Sequence, residues 1–350
     1  MRENKSITAR LIFPFEAAPE PGAAIEVVPG VLWFRMPLPF SLNHINLWAI
    51  RDGAGWTVVD TGMQTPDTLT AWRTLLSGAL QGLPITRVVV THMHPDHVGM
   101  AGWLTRHFDC ELWMTRLEYL TCRVLMADTG RAAPDAAIRF YRAAGWDQDA
   151  LETYRIRFGG FGKGIHALPE SHRRLTDGQR LTIGEHDWQV VVGNGHSPEH
   201  ACLVCPALGV MISGDQVLPR ISSNVSVFPT EPRADPLGDW IDSIARLRSQ
   251  VSDDLLVLPA HNEPFRGLHA RLEALDRGHH VALKRLLERL AEPRRVVDTF
   301  GALFARKIEG SSVLLGMATG EAIAHLNRLM VEGKVVVALD TDGVAWYRAV

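Results

Sequence analysis

The 350-residue chain holds only four cysteines, Cys110, Cys122, Cys202 and Cys205, too few and too scattered for a secreted disulfide framework. Cys202 and Cys205 form a CxxC, but a zinc ribbon or redox site needs a partner pair or a strand-to-helix turn. The surrounding ACLVCPALGVMI reads instead as a buried hairpin. No stretch of roughly 18 uninterrupted apolar residues occurs, which argues against a membrane-spanning helix. The start, MRENKSITARLIFPFEAAPEPG, has early charges but no apolar run before a small-residue cleavage site, so the expected location is the cytoplasm. An excess of positive charge is also missing. Lys and Arg total 36 against 39 Asp and Glu, which leaves no large cationic field for a phosphate backbone. The Gly-Lys pair within Gly159 to Gly164 lacks a following Ser or Thr and a preceding strand, against a phosphate-cradling loop. No internal repeat is visible.

What is present suits a globular protein. At 46% hydrophobic and 21% charged residues the chain can bury a sizeable core, and its length points to two units. Short β-branched segments at Ile25 to Pro29, Ile45 to Ile50 and Trp56 to Asp60 predict a β-meander. Leu69, Trp72, Leu75, Leu76 and Leu80 recur at helical spacing from Pro66, followed by the apolar run Val88 to Val90. Residues 113 to 180 look like an inserted helical segment. Its aromatics Trp113, Tyr119, Phe140, Tyr141, Tyr154, Phe158 and Phe161 either cover the site, with Gly159 to Gly164 as a hinge, or form the insertion's own small core. Strands resume at Trp188 to Val192, Val210 to Ile212 and Leu255 to Leu258, with a helix from about Pro236 to Leu247 between the last two. From His269 onward, Leu-, Ala- and Arg-rich helices lead to a hairpin around Asp340-Thr-Asp-Gly343, an order that suggests a winged helix.

Four short apolar runs of the buried-strand type each end in a residue able to bind a metal: His92, His196, Asp215 and His261. Strands lying side by side would place all four along one sheet edge. His92 and His94 are two apart, so both imidazoles of an extended segment face one side and can share an ion. Pro95 then bends the path, so Asp96 and His97 can reach a second position, while Gly99 lets the following helix pack closely. Three histidines and an aspartate within six residues are expensive to bury unless something coordinates them. Imidazoles with a few carboxylates suit Zn²⁺, with Mn²⁺ or Fe²⁺ as alternatives.

The motif Thr91-His-Met-His-Pro-Asp-His97 resembles the HxHxDH signature of the metallo-β-lactamase superfamily, over roughly residues 25 to 265. The resemblance implies an α/β fold, the αββα sandwich, with the helical segment at about 113–180 inserted. It implies a catalytic domain over 1–268, and the helices and hairpin that follow are read as a winged-helix-like domain over 269–350. It implies two divalent ions, His92, His94 and His196 holding one, Asp96, His97 and His261 the other, with Asp215 bridging. Asp60 falls where the family keeps a carboxylate that orients a liganding loop or imidazole. His200 is read either as a neighbour of the ligands or as plain loop. His44, His107, His166, His172, His186, His269, His279, His280 and His325 are read as ordinary polar residues.

The same resemblance implies chemistry in which a hydroxide shared by the two metals attacks a carbonyl, oriented by Asp96 as the catalytic carboxylate. Asp215 at the bridging position points to the glyoxalase II-like and lactonase branches, where many true β-lactamases of the fold carry cysteine. The expected substrate is a small thioester, lactone or related acyl compound. A metal-dependent ribonuclease of the same fold is the rival enzyme, and a non-catalytic nucleic-acid-binding regulator the rival from another class. A membrane partner is not expected, nor is nucleic acid, because the helix from Thr319 to Gly333 offers Arg328 against Glu321 and Glu332. The apolar residues of that helix and of the final hairpin leave a surplus for capping substrate or for a homo-oligomer.

Overall fold

The computed structural model describes residues 11–305 and 307–350. Residues 1–10, part of the start on which the expected cytoplasmic location rests, and Arg306, within the helical stretch expected there, lie outside the described residues.

The first sheet opens as an antiparallel meander of β1 (Ile25–Val28), β2 (Val31–Pro37), β3 (His44–Asp52) and β4 (Gly55–Val59). It continues with parallel strands β5 (Ile85–Val89), β6 (Glu111–Thr115) and β7 (Arg173–Leu175). The antiparallel strands are joined by tight turns, whereas the parallel ones need crossovers. These are α1 (Pro66–Ser77) and, after the single turn α2 (Pro95–Val98), α3 (Ala101–Phe108). Thr65 caps α1 by accepting from Thr68 N at 3.1 Å, and Pro66 opens its first turn.

Between β6 and β7 lie α4 (Arg116–Ala127), α5 (Asp135–Ala143), α6 (Gln148–Arg157) and a 3₁₀ turn at Phe161–Gly164. The helical insertion is therefore narrower than the expected 113–180. Trp113 pairs with Arg173 inside the sheet, and the Arg-Arg-Leu of β7 carries too few apolar residues to stand out from sequence.

The second sheet runs β12-β11-β10-β9-β8, built from β8 (Arg180–Ile183), β9 (His186–Gly193), β10 (His200–Cys205), β11 (Val210–Gly214) and β12 (Leu256–Pro259), with α7 (Pro236–Gln250) crossing over before β12. Cys202 and Cys205 face the core in the β10–β11 hairpin, as expected. After β12 come α8 (Leu268–Arg289), α9 (Phe300–Leu303), α10 (Ser312–Val331) and the hairpin β13 (Val335–Leu339) to β14 (Ala345–Ala349).

The two sheets face each other across a core that includes Trp33, Trp48, Val59 and Val89 on one side and Trp188, Leu203, Ile212 and Leu258 on the other. The outer face of the first sheet packs on α1, α3 and α4 through Trp72, Leu104 and Cys122. The outer face of the second packs on α7 and α8 through Trp240, Leu272 and Leu275. That arrangement is the αββα sandwich. The last core extends without a break into Tyr141, Trp146 and Leu151 of the insertion and Leu303, Ala322 and Leu326 of the C-terminal helices. The insertion and the C-terminal part thus share one hydrophobic body.

Two histidines read as ordinary polar residues belong to this body. His279 and His325 are buried with their rings 5.6 Å apart, and burial lowers both from the usual imidazole range, to about 3 and about 4.

Candidate metal centre

The ends of β5, β9, β11 and β12 do lie along one edge, and the sequence-selected residues gather there. His92, His94, His196 and Asp215 each offer a ligand atom within 4.8 Å of the others, and so do Asp96, His97 and His261. Asp215 Oδ2 is 3.4 Å from His196 Nε2, while Asp215 Oδ1 is 3.4 Å from His261 Nε2 and 3.6 Å from His97 Nε2. One carboxylate therefore touches both groups. Gly99 must be glycine here, since a Cβ would come within 2.5 Å of the Pro95 carbonyl and 2.6 Å of the Gly62 carbonyl.

Hydrogen bonds on the outer side fix which nitrogen each ring turns inward. His97 Nδ1 donates to Asp60 Oδ2 at 2.7 Å, His196 Nδ1 to the Asn224 carbonyl at 2.7 Å, and His261 Nδ1 to the His44 carbonyl at 2.9 Å. The Thr91 hydroxyl donates to Asp60 Oδ2 at 2.8 Å, so its oxygen accepts from His92 Nδ1 at 3.1 Å. Carbonyl and carboxylate acceptors require N–H on these outer nitrogens. The Nε2 atoms of His92, His97, His196 and His261 consequently face the centre, where each offers a lone pair when its ring is neutral. His94 presents Nδ1 instead, 2.8 Å from His92 Nε2, and His196 Nε2 is 3.3 Å from that same atom.

Asp60 is the hub of the outer side. It sits at φ +63° just after β4, a left-handed conformation that Asp tolerates better than most residues. Its Oδ1 accepts from Thr91 N at 2.8 Å. His200 has a distinct place: its Nε2 accepts from Asp215 N at 3.0 Å, and it lies against Gly214 so closely that a Cβ there would come within 2.5 Å.

Charges follow the same division. Burial first, and then neighbouring imidazoles, hold His92 and His200 well below the usual range and His94 at about 3. His97 and His261 go the other way against their burial, raised chiefly by Asp60 and by Asp215 respectively. Asp96 is brought down to about 2 by His97 and His261, and Asp215 well below the carboxylate range by His261 and His97, both against burial.

Three supporting residues had not been singled out. Glu118 of α4 is fully buried and accepts from Met93 N at 2.9 Å, Ser197 Oγ at 2.6 Å and Glu199 N at 2.8 Å. It ties the His92–His94 loop to the His196 loop. Burial pushes its carboxyl up, opposed by these hydrogen bonds. His44, read as ordinary, supplies the carbonyl for His261 and accepts from Asn262 N at 3.2 Å. Asn224, which holds His196, donates to Glu321 Oε2 of α10 at 2.8 Å, so the C-terminal helix reaches the outer side of the centre.

The donor set fits divalent metal. His97 Nε2 and Asp215 Oδ1 are buried without a hydrogen-bond partner, an arrangement that costs stability unless an ion satisfies them. The inward lone pairs of His92, His94 and His196 crowd one another in the way that a shared cation relieves.

Similarity to known proteins agrees with this architecture. Residues 41–261 match the Metallo-beta-lactamase superfamily, and residues 283–350 match the Metallo-beta-lactamase-like, C-terminal domain. The fold superposes on a beta-lactamase domain protein from Burkholderia ambifaria with a TM-score of 0.90 at 40% identity, covering 99% of this chain and 100% of that one. The probable metallo-hydrolase YqjP of Bacillus subtilis (strain 168) is 26% identical over 86% of this chain and 92% of its own length. The acyl-coenzyme A thioesterase MBLAC2 of Gallus gallus is 26% identical over 67% of this chain and 79% of its own. With the matched region spanning more than half of its length, and with that region folded as the αββα sandwich, the chain belongs to the Metallo-beta-lactamase superfamily.

Proposed function

We propose that the protein is a dinuclear metal hydrolase that cleaves thioester or ester bonds of small acyl substrates, in the manner of the glyoxalase II-like branch. The observation that carries this reading is Asp215, whose two carboxylate oxygens face separate groups of donors. In this reading His92, His94 and His196 hold one ion, Asp96, His97 and His261 hold the other, and Asp215 joins them. Zinc suits the mixed nitrogen and oxygen set, with manganese or iron as alternatives. When bound, such ions lower the pKa of water towards neutrality and polarise an acyl carbonyl.

The chain's own residues do the positioning. Asp60 and Thr91 keep His97 and His92 in the tautomer that turns Nε2 inward, and His200 pins the backbone of Asp215. Asp96 retains 22% exposure of its side chain, so it faces the open side of the cluster and accepts a hydrogen bond from the attacking water.

We read residues 1–268 as the catalytic domain and 269–350 as a winged-helix-like module, on the order of α8, α9, α10 and the β13–β14 hairpin. The helix that would enter a DNA groove, α10, instead buries Ala318, Ala322, Ile323 and Leu326. Arg328 on it pairs with Asp235 at 3.1 Å and Glu332 at 3.0 Å, which supports a role beside the catalytic site over a nucleic-acid reader. Among the described residues no helix is long and apolar enough to cross a membrane. The deciding experiment is turnover by the metal-loaded full chain on acyl-CoA, lactone, RNA and β-lactam panels. Thiol release from acyl-CoA or lactone opening is expected, and cleavage of RNA alone would overturn the reading.

A further inference from the structure

We propose that the groove between α4 and α10 is an acyl-chain channel, ending in an aromatic cavity that takes an unbranched chain of medium length. The proposal rests on the acyl-hydrolase reading and specifies its substrate. The cavity has a volume of about 340 Å³ and is walled by Leu125, Tyr154, Phe158 and Phe161 on one side and by Val313 and Gly316 on the other. At about 30 Å³ for each water-sized group, it accommodates roughly ten methylenes. Its polar side chains are Asp128, Arg157 and Ser312, the last two paired with each other, and a wall that is otherwise apolar is what an alkyl chain requires.

Both walls lead from the cavity to the metal centre. On α4, Leu117, Thr121, Val124 and Asp128 share one face by helical spacing, and Asp128 also lines the cavity. At the opposite end of that face Leu117 N donates to Glu199 Oε2 at 2.9 Å, beside the Glu118–Ser197 contact that holds the His196 loop. On α10, the face that begins with Val313 and Gly316 continues through Met317 and Gly320 to Glu321. Met317 offers its carbonyl to Asn224 Nδ2 at 3.4 Å, and Asn224 holds His196. The five residue steps from Gly316 to Glu321 cover about 7.5 Å of helix. The cavity and the residue that supports Asn224, and through it His196, thus lie less than two turns apart on α10.

The surface along this path is otherwise unexplained. Leu117, Val124, Val313 and Met317 are 46%, 62%, 48% and 46% exposed. An alkyl chain lying between the two helices removes that apolar area from water. Aromatic residues expected either to cover the site or to form the insertion's own core divide accordingly. Tyr141 and Trp146 are core residues stacked at 4.2 Å that also form the floor of the cavity, while Tyr154, Phe158 and Phe161 line it without belonging to the fully buried core.

Gly316 provides the test. A Cβ there meets nothing within 4 Å, and replacing a helix-interior glycine favours the helix, so Gly316→Phe fills the cavity without disturbing the fold. The metal-loaded full chain is titrated calorimetrically with decanoate and with butyrate, which share any attraction of carboxylate to metal and differ only in chain. Decanoate should bind at least tenfold more tightly. Gly316→Phe should remove that preference, and Leu125→Asn on the opposite wall should reduce it. Gly301→Phe, also placed in open space but on α9 away from the channel, should keep it. Equal affinity for the two acids in the unaltered protein, or a decanoate preference that survives Gly316→Phe, would overturn the channel. A preference abolished by Gly316→Phe supports it even if no thioester is turned over, so the two readings fail separately.

Discussion

Asp60 Oδ2 and His97 Nδ1 meet at 2.7 Å with both side chains sealed from solvent. The contact selects the His97 tautomer, and the same carboxylate anchors Thr91, so one residue at the end of β4 sets the geometry of the motif that begins at His92. Asparagine at position 60 tolerates the positive φ and can still accept from Thr91 N. Its amide nitrogen, however, cannot accept the His97 proton. Asp60→Asn should therefore fold but lose metal affinity about 10–100-fold, measured by competition with a chromogenic chelator. Unchanged affinity would contradict the orienting role of Asp60.

Asp215 faces both donor groups. Asp215→Ala should leave the β10–β11 hairpin intact, since the strand's hydrogen bonds are to backbone, yet lower turnover by orders of magnitude. Near-normal turnover with a normal far-ultraviolet circular dichroism spectrum would refute the bridging assignment.

The buried carboxylate of Glu118 accepts three hydrogen bonds, from two backbone amides and a hydroxyl. Glutamine has only one acceptor oxygen, so Glu118→Gln leaves at least one buried donor unmade, at a cost of about 1–3 kcal/mol. Denaturant unfolding should show that loss, and chelator competition should show weaker metal binding because the His94 and His196 loops are no longer joined. A stability within error of the unaltered chain would count against this tie.

Much of the site could be read from sequence because it is local or marked by pattern. The spacing of His92, His94, Asp96 and His97 is a contiguous motif, and His196, Asp215 and His261 each end an apolar run that becomes β9, β11 or β12. Glu118 was not legible, since a glutamate inside a helix ordinarily faces water, and its partners Met93 and Ser197 are 25 and 79 residues away. His44 escaped notice because its link to His261 runs through a backbone carbonyl, which carries no side-chain signal. The Arg-Arg-Leu of β7 has none of the β-branched character that marks strands, so the insertion looked longer than it is. The C-terminal helix was read from its second half, where Glu321 and Arg328 lie, and the earlier turns that meet the insertion were not foreseen.

Glu321 supplies a pH test. Burial raises its carboxyl to about 7 from the ordinary value near 4.5, against the pull of the Asn224 hydrogen bond. The folded chain then binds a proton that the unfolded chain has released between those two values, so this group's contribution favours folding at low pH and is lost as pH rises towards 7. Glu321→Gln, which keeps an oxygen for Asn224 Nδ2, should match the unaltered chain in unfolding midpoint near pH 4.5 relative to its own baseline and become progressively more stable than it by pH 7.5. Parallel stability profiles for the two chains would show that Glu321 does not titrate in this range.

The most direct test of a two-metal centre is elemental analysis of the purified full chain after metal supplementation and removal of loosely bound ions. Two divalent ions per chain are expected, falling to one or fewer in His261→Ala while His92, His94 and His196 remain available. One ion or fewer in the unaltered chain would contradict the account.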